Sequence, residues 1–256
     1  MAEMIEIGTG SAARRIAVEA RAATIRPQDP PVVWLGGFRS DMRGGKAERL
    51  DAFCARTGRA CVRFDYTGHG ESGGRFEDGT ISAWLEDALA VIDRFTERPP
   101  VLVGSSMGGW IALLVARALA GTPKAPAGMV LIAPAADFTE RLMWAHFPQG
   151  VRDTILREGV FHAPSEYGEP TPITRALIED GRRHLLMDGP IVTGCPVHIL
   201  QGMKDPDVPW RHAVETMEAM ASDSVTMTLI KDGDHRLSRE EDLDRLEAAV
   251  ARMLEG

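Results

Sequence analysis

Few of the features that mark secreted, membrane-spanning or nucleic-acid-binding chains are present. There are only three cysteines, Cys54, Cys61 and Cys195. An odd number in a chain long enough to bury a core without cross-links reads as reduced, mostly buried thiols. No stretch approaches the roughly 18 to 20 apolar residues that span a bilayer, so no stable membrane insertion is expected. Residues 1–7 alternate acidic and apolar side chains and lack a basic region followed by an apolar run, so no secretory signal is read and a cytoplasmic location is expected. Positive charge is not in excess: 29 Lys and Arg face 37 Asp and Glu, a formal charge of −8. A field of that sign repels phosphate backbones, and no nucleic-acid partner is expected. There is no internal repeat and no low-complexity tract.

What is there is ordinary for a globular chain: 256 residues, 44% apolar and 26% charged, which fits one domain, residues 1–256, around one core with an insertion. Short apolar runs suited to strands fall at residues 4–7, 16–20, 31–35, 61–66, 101–104, 129–133, 197–200 and 225–230. The first two have Gly8, Gly10 and Ser11 between them as turn residues. Helical periodicity fills the intervals. Ile81, Trp84, Leu85, Ala88, Leu89 and Ile92 make one stripe, and Trp210, Ala213, Val214 and Met217 make another behind Pro209. Ser238 and Glu241 have capping-box spacing ahead of Leu243, Leu246, Val250 and Met253. This alternation predicts an α/β fold with a mostly parallel eight-stranded sheet flanked by helices. Residues 137–190 interrupt it with short helical stretches around 141–147, 151–158 and 174–186, and are expected to form a helical cap inserted in the sheet.

The strongest chemical signal is Gly104-Ser105-Ser106-Met107-Gly108, which follows the run 101–103 and precedes a helical run beginning at Trp110. G-x-S-x-G in a strand, turn, helix context lifts the serine hydroxyl above the sheet edge and aims the Met107 amide at the space beside it. A glycine-rich turn without chemistry is the alternative. A serine needs a base and an orienting acid, expected downstream in the order acid, then histidine. Of seven histidines, His235 alone falls in a loop between the last strand and the last helix, at the strand end where catalytic groups of open sheets gather. The loop after residues 197–200 offers Asp205 and Asp207, with Asp205 nearer the strand end. Its role would be to hold the imidazole tautomer. Gly36-Gly37-Phe38 follows the third run, where the Phe38 amide is the candidate second oxyanion donor and its ring could meet an acyl group. In the segment 137–190, Trp144, Phe147 and Phe161 are candidates for the substrate pocket, along with Phe38.

Two other motifs carry less. Gly68-His69-Gly70-Glu71-Ser72-Gly73 matches G-x-G-x-x-G after a strand, but loop residues follow it where a dinucleotide site needs a helix N-terminus. Asp232, Asp234 and His235 are too few for a metal site and lack a second ligand cluster. No cofactor and no metal is expected.

Over nearly its whole length the chain resembles the α/β-hydrolase superfamily, through Gly36 to Phe38, Phe64 to Ser72, Gly104 to Trp110 and the loops of Asp205 and His235. More narrowly, Arg63 to Tyr66, Gly104 to Trp110, Gly202 to Asp205, Val208 to Trp210 and Asp234 to Arg236 resemble the abhydrolase domain-containing protein 10 family. That resemblance implies a serine esterase or thioesterase acting on palmitoyl-protein thioesters and acyl glucuronides, so the partner is a small-molecule ester or an acylated protein. It implies Ser106 as nucleophile, Asp205 as acid and His235 as base. A non-catalytic binding protein or a serine peptidase on the same fold are the other readings.

Overall fold

The structure, a computed structural model, describes residues 2–10, 13–164, 170–220 and 224–255. Ser11, one of the expected turn residues, lies outside them. In chain order the strands are β1 (Glu3–Ile7), β2 (Arg14–Arg21), β3 (Val32–Leu35), β4 (Cys61–Phe64), β5 (Val101–Ser105), β6 (Gly128–Ile132), β7 (Val160–Ala163), β8 (Thr171–Thr174), β9 (Val197–Gly202) and β10 (Val225–Ile230). The helices are α1 (Gly45–Thr57), α2 (Ile81–Phe95), α3 (Met107–Leu119), α4 (Gln149–Glu158), α5 (Arg175–Gly181), α6 (Trp210–Ala219) and α7 (Glu240–Glu255).

Eight strands form one sheet in the order β1-β2-β4-β3-β5-β6-β9-β10. Strand β2 is antiparallel to both its neighbours, and every other pairing is parallel. Every residue of β3, β5 and β6 is buried, which is why these segments read as unbroken apolar runs. Alternate side chains still sort between two layers. Val33, Leu35, Leu102 and Met129 join α2 and α3 on one face, while Val32, Trp34, Val101, Val103 and Val130 join α1 and α7 on the other. The stripe predicted on α2 is that buried surface, with Thr80 as its cap accepting the Ala83 amide at 3.2 Å. The strand order reverses at β3, which has β4 on one side and β5 on the other. Such a reversal opens a crevice beyond the carboxyl ends of the strands.

Residues 137–190 depart from the purely helical expectation. They hold a π-helical turn at Thr139–Met143, 3-10 turns at Trp144–His146 and Arg182–His184, and helices α4 and α5. They also hold an antiparallel ribbon, β7 with β8, pairing Val160 with Thr174 and Ala163 with Thr171. Gly159 ends α4 at φ 83°, a left-handed conformation that turns the chain out of the helix, and Val160 and Phe161, residues suited to a strand, follow. Ile155, Ile173 and Ile178 form a small core inside the segment. At its start Asp137, with a fully buried carboxylate, accepts the amides of Leu186 and Met187 at 2.9 Å each and so ties the two ends together.

The expected capping box does not form. Helix α7 begins at Glu240, its first turn closing on the Arg239 carbonyl, and the Ser238 hydroxyl donates instead to the Arg236 carbonyl at 3.0 Å. The reason lies upstream. Asp234 accepts the Leu237 amide at 2.9 Å and Leu237 takes φ 43°, which bends the chain just before Ser238.

Candidate active site

Ser106 stands between β5 and α3 with φ 56° and ψ −117°, a conformation that an L-residue holds only when its surroundings enforce it. The enforcement is visible. The Ser106 amide donates to the Ile132 carbonyl of β6 at 2.8 Å, and the Ser106 carbonyl accepts from Gly109 and Ala135 at 2.9 and 3.1 Å. The flanking glycines are required by backbone contact: a Cβ on Gly104 would lie 2.3 Å from the Gly108 carbonyl oxygen, and one on Gly108 would lie 2.0 Å from that of Leu35. Met107 begins α3, so its amide belongs to the first turn, whose N–H groups have no partner within the helix.

The other two sequence candidates reach the same point. His235 Nε2 lies 3.1 Å from Ser106 Oγ, and His235 Nδ1 lies 2.8 Å from Asp205 Oδ2. The Asp205 carboxylate has no exposed surface. Its Oδ1 accepts the amides of Asp207 and Val208 at 2.9 and 2.8 Å, and Gln201 Nε2 adds a longer contact to Oδ2 at 3.2 Å. A carboxylate so bonded stays in place, and Nδ1–H facing it leaves Nε2 with its lone pair toward the hydroxyl. Asp207 serves this carboxylate only through its backbone; its side chain is exposed.

Phe38 lies on a tight turn after β3, where Gly37 O accepts both the amide and the hydroxyl of Ser40 at 3.1 and 2.8 Å. A Cβ on Gly37 would stand 3.3 Å from the Ser105 carbonyl oxygen and 3.5 Å from Ser106 Cβ, so this turn runs directly alongside the serine. The Phe38 ring packs on Phe76, Phe138 and Trp84 at 4.9, 5.6 and 5.9 Å between centroids. Phe38 also touches the small core of residues 137–190, in which Trp144, Phe147 and Phe161 are partly buried. Trp144 has a second engagement, since the guanidiniums of Arg182 and Arg152 lie over its ring at 4.9 and 5.5 Å.

The residues of the two lesser motifs have structural engagements of their own. The loop 68–73 closes on itself, Gly68 N–H donating to Gly73 O at 2.9 Å, and is followed by a 3-10 turn at Phe76–Asp78. Gly70 makes room for Asp65, whose carboxylate accepts the amides of Met42 and Glu71 at 2.6 and 2.8 Å; a Cβ on Gly70 would lie 2.1 Å from it. Asp232 pairs with Arg239. Among the described residues Asp205, Asp207 and His235 bring ligand atoms within 4.8 Å of one another, but Asp205 is already committed to the imidazole and two amides.

A model of the alpha/beta hydrolase family matches residues 30–249. The chain belongs to that family. Human palmitoyl-protein thioesterase ABHD10, mitochondrial, is 34% identical over 224 residues, covering 87% of this chain and 72% of that protein. A crystal structure from Agrobacterium vitis S4, of a protein assigned only provisionally as a hydrolase, superposes with a TM-score of 0.95 at 51% identity, covering 99% of this chain and 98% of that one. The mouse alpha/beta hydrolase domain-containing protein 10 gives a TM-score of 0.86 at 30% identity, covering 99% and 98% of the two chains.

The hydrolase fold also engages residues that sequence reasoning passed over. Gln201 is fully buried at the end of β9, and its Nε2 joins Asp205 to the Gly202 and Val208 carbonyls. A polar amide directly after the run 197–200 was its only sequence signal. Lys46 of α1 donates to the Arg236 carbonyl, beside His235; burial, with the nearby Arg236 charge, pushes its ammonium down to about 8. No described helix is long and apolar enough to cross a membrane.

Proposed function

We propose that this hydrolase cleaves carboxylic esters and thioesters, of small molecules or of acylated proteins, by two-step acyl transfer through Ser106. The hydroxyl attacks the carbonyl carbon as His235 Nε2 takes its proton, and the imidazolium then gives that proton to the leaving alcohol or thiol. Water repeats the attack on the acyl-serine with His235 again as base. Asp205 keeps Nδ1 protonated throughout. The amides of Phe38 and Met107 stabilise the oxyanion, the latter at the positive end of α3. Phe38, with Phe147 and Phe161 that pack on the same small core, is the proposed wall for the acyl group.

The observation that carries this reading is the continuous relay from the buried Asp205 carboxylate through His235 to a serine held at positive φ. The thioesterase relatives support the ester and thioester class. A fluorophosphonate should label the wild-type protein at Ser106 and abolish its p-nitrophenyl ester hydrolysis, and Ser106→Ala should neither label nor turn over. Hydrolysis surviving in that variant, in folded protein, would sink the assignment; an unlabelled wild-type serine would favour a binding protein on the same fold.

A further inference from the structure

His69 lies in the glycine-rich loop that the proposed chemistry leaves without a task, yet its ring is aimed at the turn bearing Phe38. We propose that His69 is a positioning residue for the oxyanion turn: its Nε2 accepts the Arg39 amide and so fixes the peptide next to the one that presents the Phe38 N–H. This rests on the acyl-transfer reading of Ser106.

Several observations converge on it. The Arg39 amide lies 3.2 Å from His69 Nε2, and His69 Nδ1 lies 3.2 Å from the Thr67 carbonyl oxygen. A carbonyl only accepts, so Nδ1 carries the proton and Nε2 is the acceptor; no other neutral tautomer serves both contacts. Burial pushes the imidazolium down to about 4, which keeps this tautomer uncharged near neutrality. Arg39 has φ 57°, a left-handed conformation unfavourable for a residue with a side chain, so the turn needs an external hold. The hold is itself rigid. The His69 amide donates to the Tyr66 carbonyl at 2.9 Å, and the ring is only 4% exposed, edged by Phe76, Trp84 and Tyr66 at 5.1, 5.3 and 5.9 Å. Phe76 and Trp84 are also two of the rings on which Phe38 rests. His69 and the oxyanion turn are thus braced by the same aromatic pair, and the histidine adds a directional contact between them.

The test compares His69→Gln with His69→Met, replacements of similar size: the glutamine carbonyl can accept the Arg39 amide fully, the methionine thioether only weakly. Loss of a whole oxyanion donor costs about 10²- to 10³-fold in kcat; misaligning one of two should fall short of that. We expect His69→Met to lose roughly 10- to 100-fold in kcat with KM within about threefold, and His69→Gln to recover at least about tenfold of it. Affinity for a trifluoromethyl ketone, whose tetrahedral adduct places an oxyanion at the same point, should follow kcat. Equal kcat values in the two variants, or a loss confined to KM, would overturn the positioning role. Failure of the wild-type protein itself to label with a fluorophosphonate and to hydrolyse esters would instead remove the Ser106 reading on which the role depends.

Discussion

Asp205→Asn should disable the hydrolase by reversing one tautomer, and the contacts around Asp205 dictate which way the new amide points. Oδ1 accepts two backbone amides, from Asp207 and Val208, while Oδ2 faces His235 Nδ1 and Gln201 Nε2. Asparagine has one acceptor oxygen. Keeping the two amide bonds places that oxygen at Oδ1 and its NH2 at the former Oδ2, opposite the imidazole. His235 then meets a donor and must become an acceptor at Nδ1, so its proton moves to Nε2 and points at Ser106 Oγ. A base that already carries a proton there cannot accept the serine's. In serine proteases this tautomer reversal costs about 10⁴ in kcat, roughly 5.5 kcal/mol of transition-state stabilisation, and a similar loss is expected here. Turnover of a p-nitrophenyl ester measures it, with circular dichroism melting to confirm folding. Asp207→Asn, which changes only an exposed side chain, is the control and should keep activity within a few-fold. A folded Asp205→Asn variant within tenfold of wild type would refute the reasoning.

Two further predictions bear on stability. Gly108→Ala would put its Cβ 2.0 Å from one backbone carbonyl oxygen and 2.6 Å from another, those of Leu35 and Gly36, so β3 and the turn must separate; we expect a cost above 3 kcal/mol, seen as a fall in Tm of at least about 6 °C, and a Tm within about 2 °C of wild type would contradict the close approach. Burial holds His69 at about 4 against an ordinary 6.5, so as pH falls through that interval the unfolded chain takes up a proton that the folded chain refuses, and stability drops by about 2 to 3 kcal/mol on reaching pH 4.5. Urea denaturation of wild type and His69→Gln at pH 7 and pH 4.5 isolates this part, and parallel losses in the two proteins would remove it.

The parts of this molecule legible in the sequence are those whose physics is local. A buried strand reads as an apolar run, as residues 101–103 do, and G-x-S-x-G needs its glycines for contacts made within one turn or with the adjacent strand. Asp205 and His235 could be singled out because each follows a strand of a sheet whose direction is set by alternation. Features that depend on distant partners were hidden. His69 gains its contact from Arg39, 30 positions earlier, and nothing in the spacing announces it. The ribbon β7 and β8 consists of two four-residue strands, too short for a period-2 pattern to stand out from helical segments on either side. Ser238 had the spacing of a capping box, but capping also needs the right backbone entry, and Leu237 at positive φ denies it.

Asp137 joins the beginning of its segment to Leu186 and Met187 near its end, so about fifty residues leave the sheet and return through one small gate. The excursion still reaches back to the body of the fold, where Asp180 accepts the Ser82 amide and hydroxyl at 2.7 Å each and Arg39 donates to Thr171 at 2.9 Å, so a shift inside it is passed to the start of α2 and to the turn bearing Phe38. On the proposed reading, a substitution inside the excursion can therefore reshape the acyl wall at Phe38 while the contacts joining Asp205, His235 and Ser106 stay as they are.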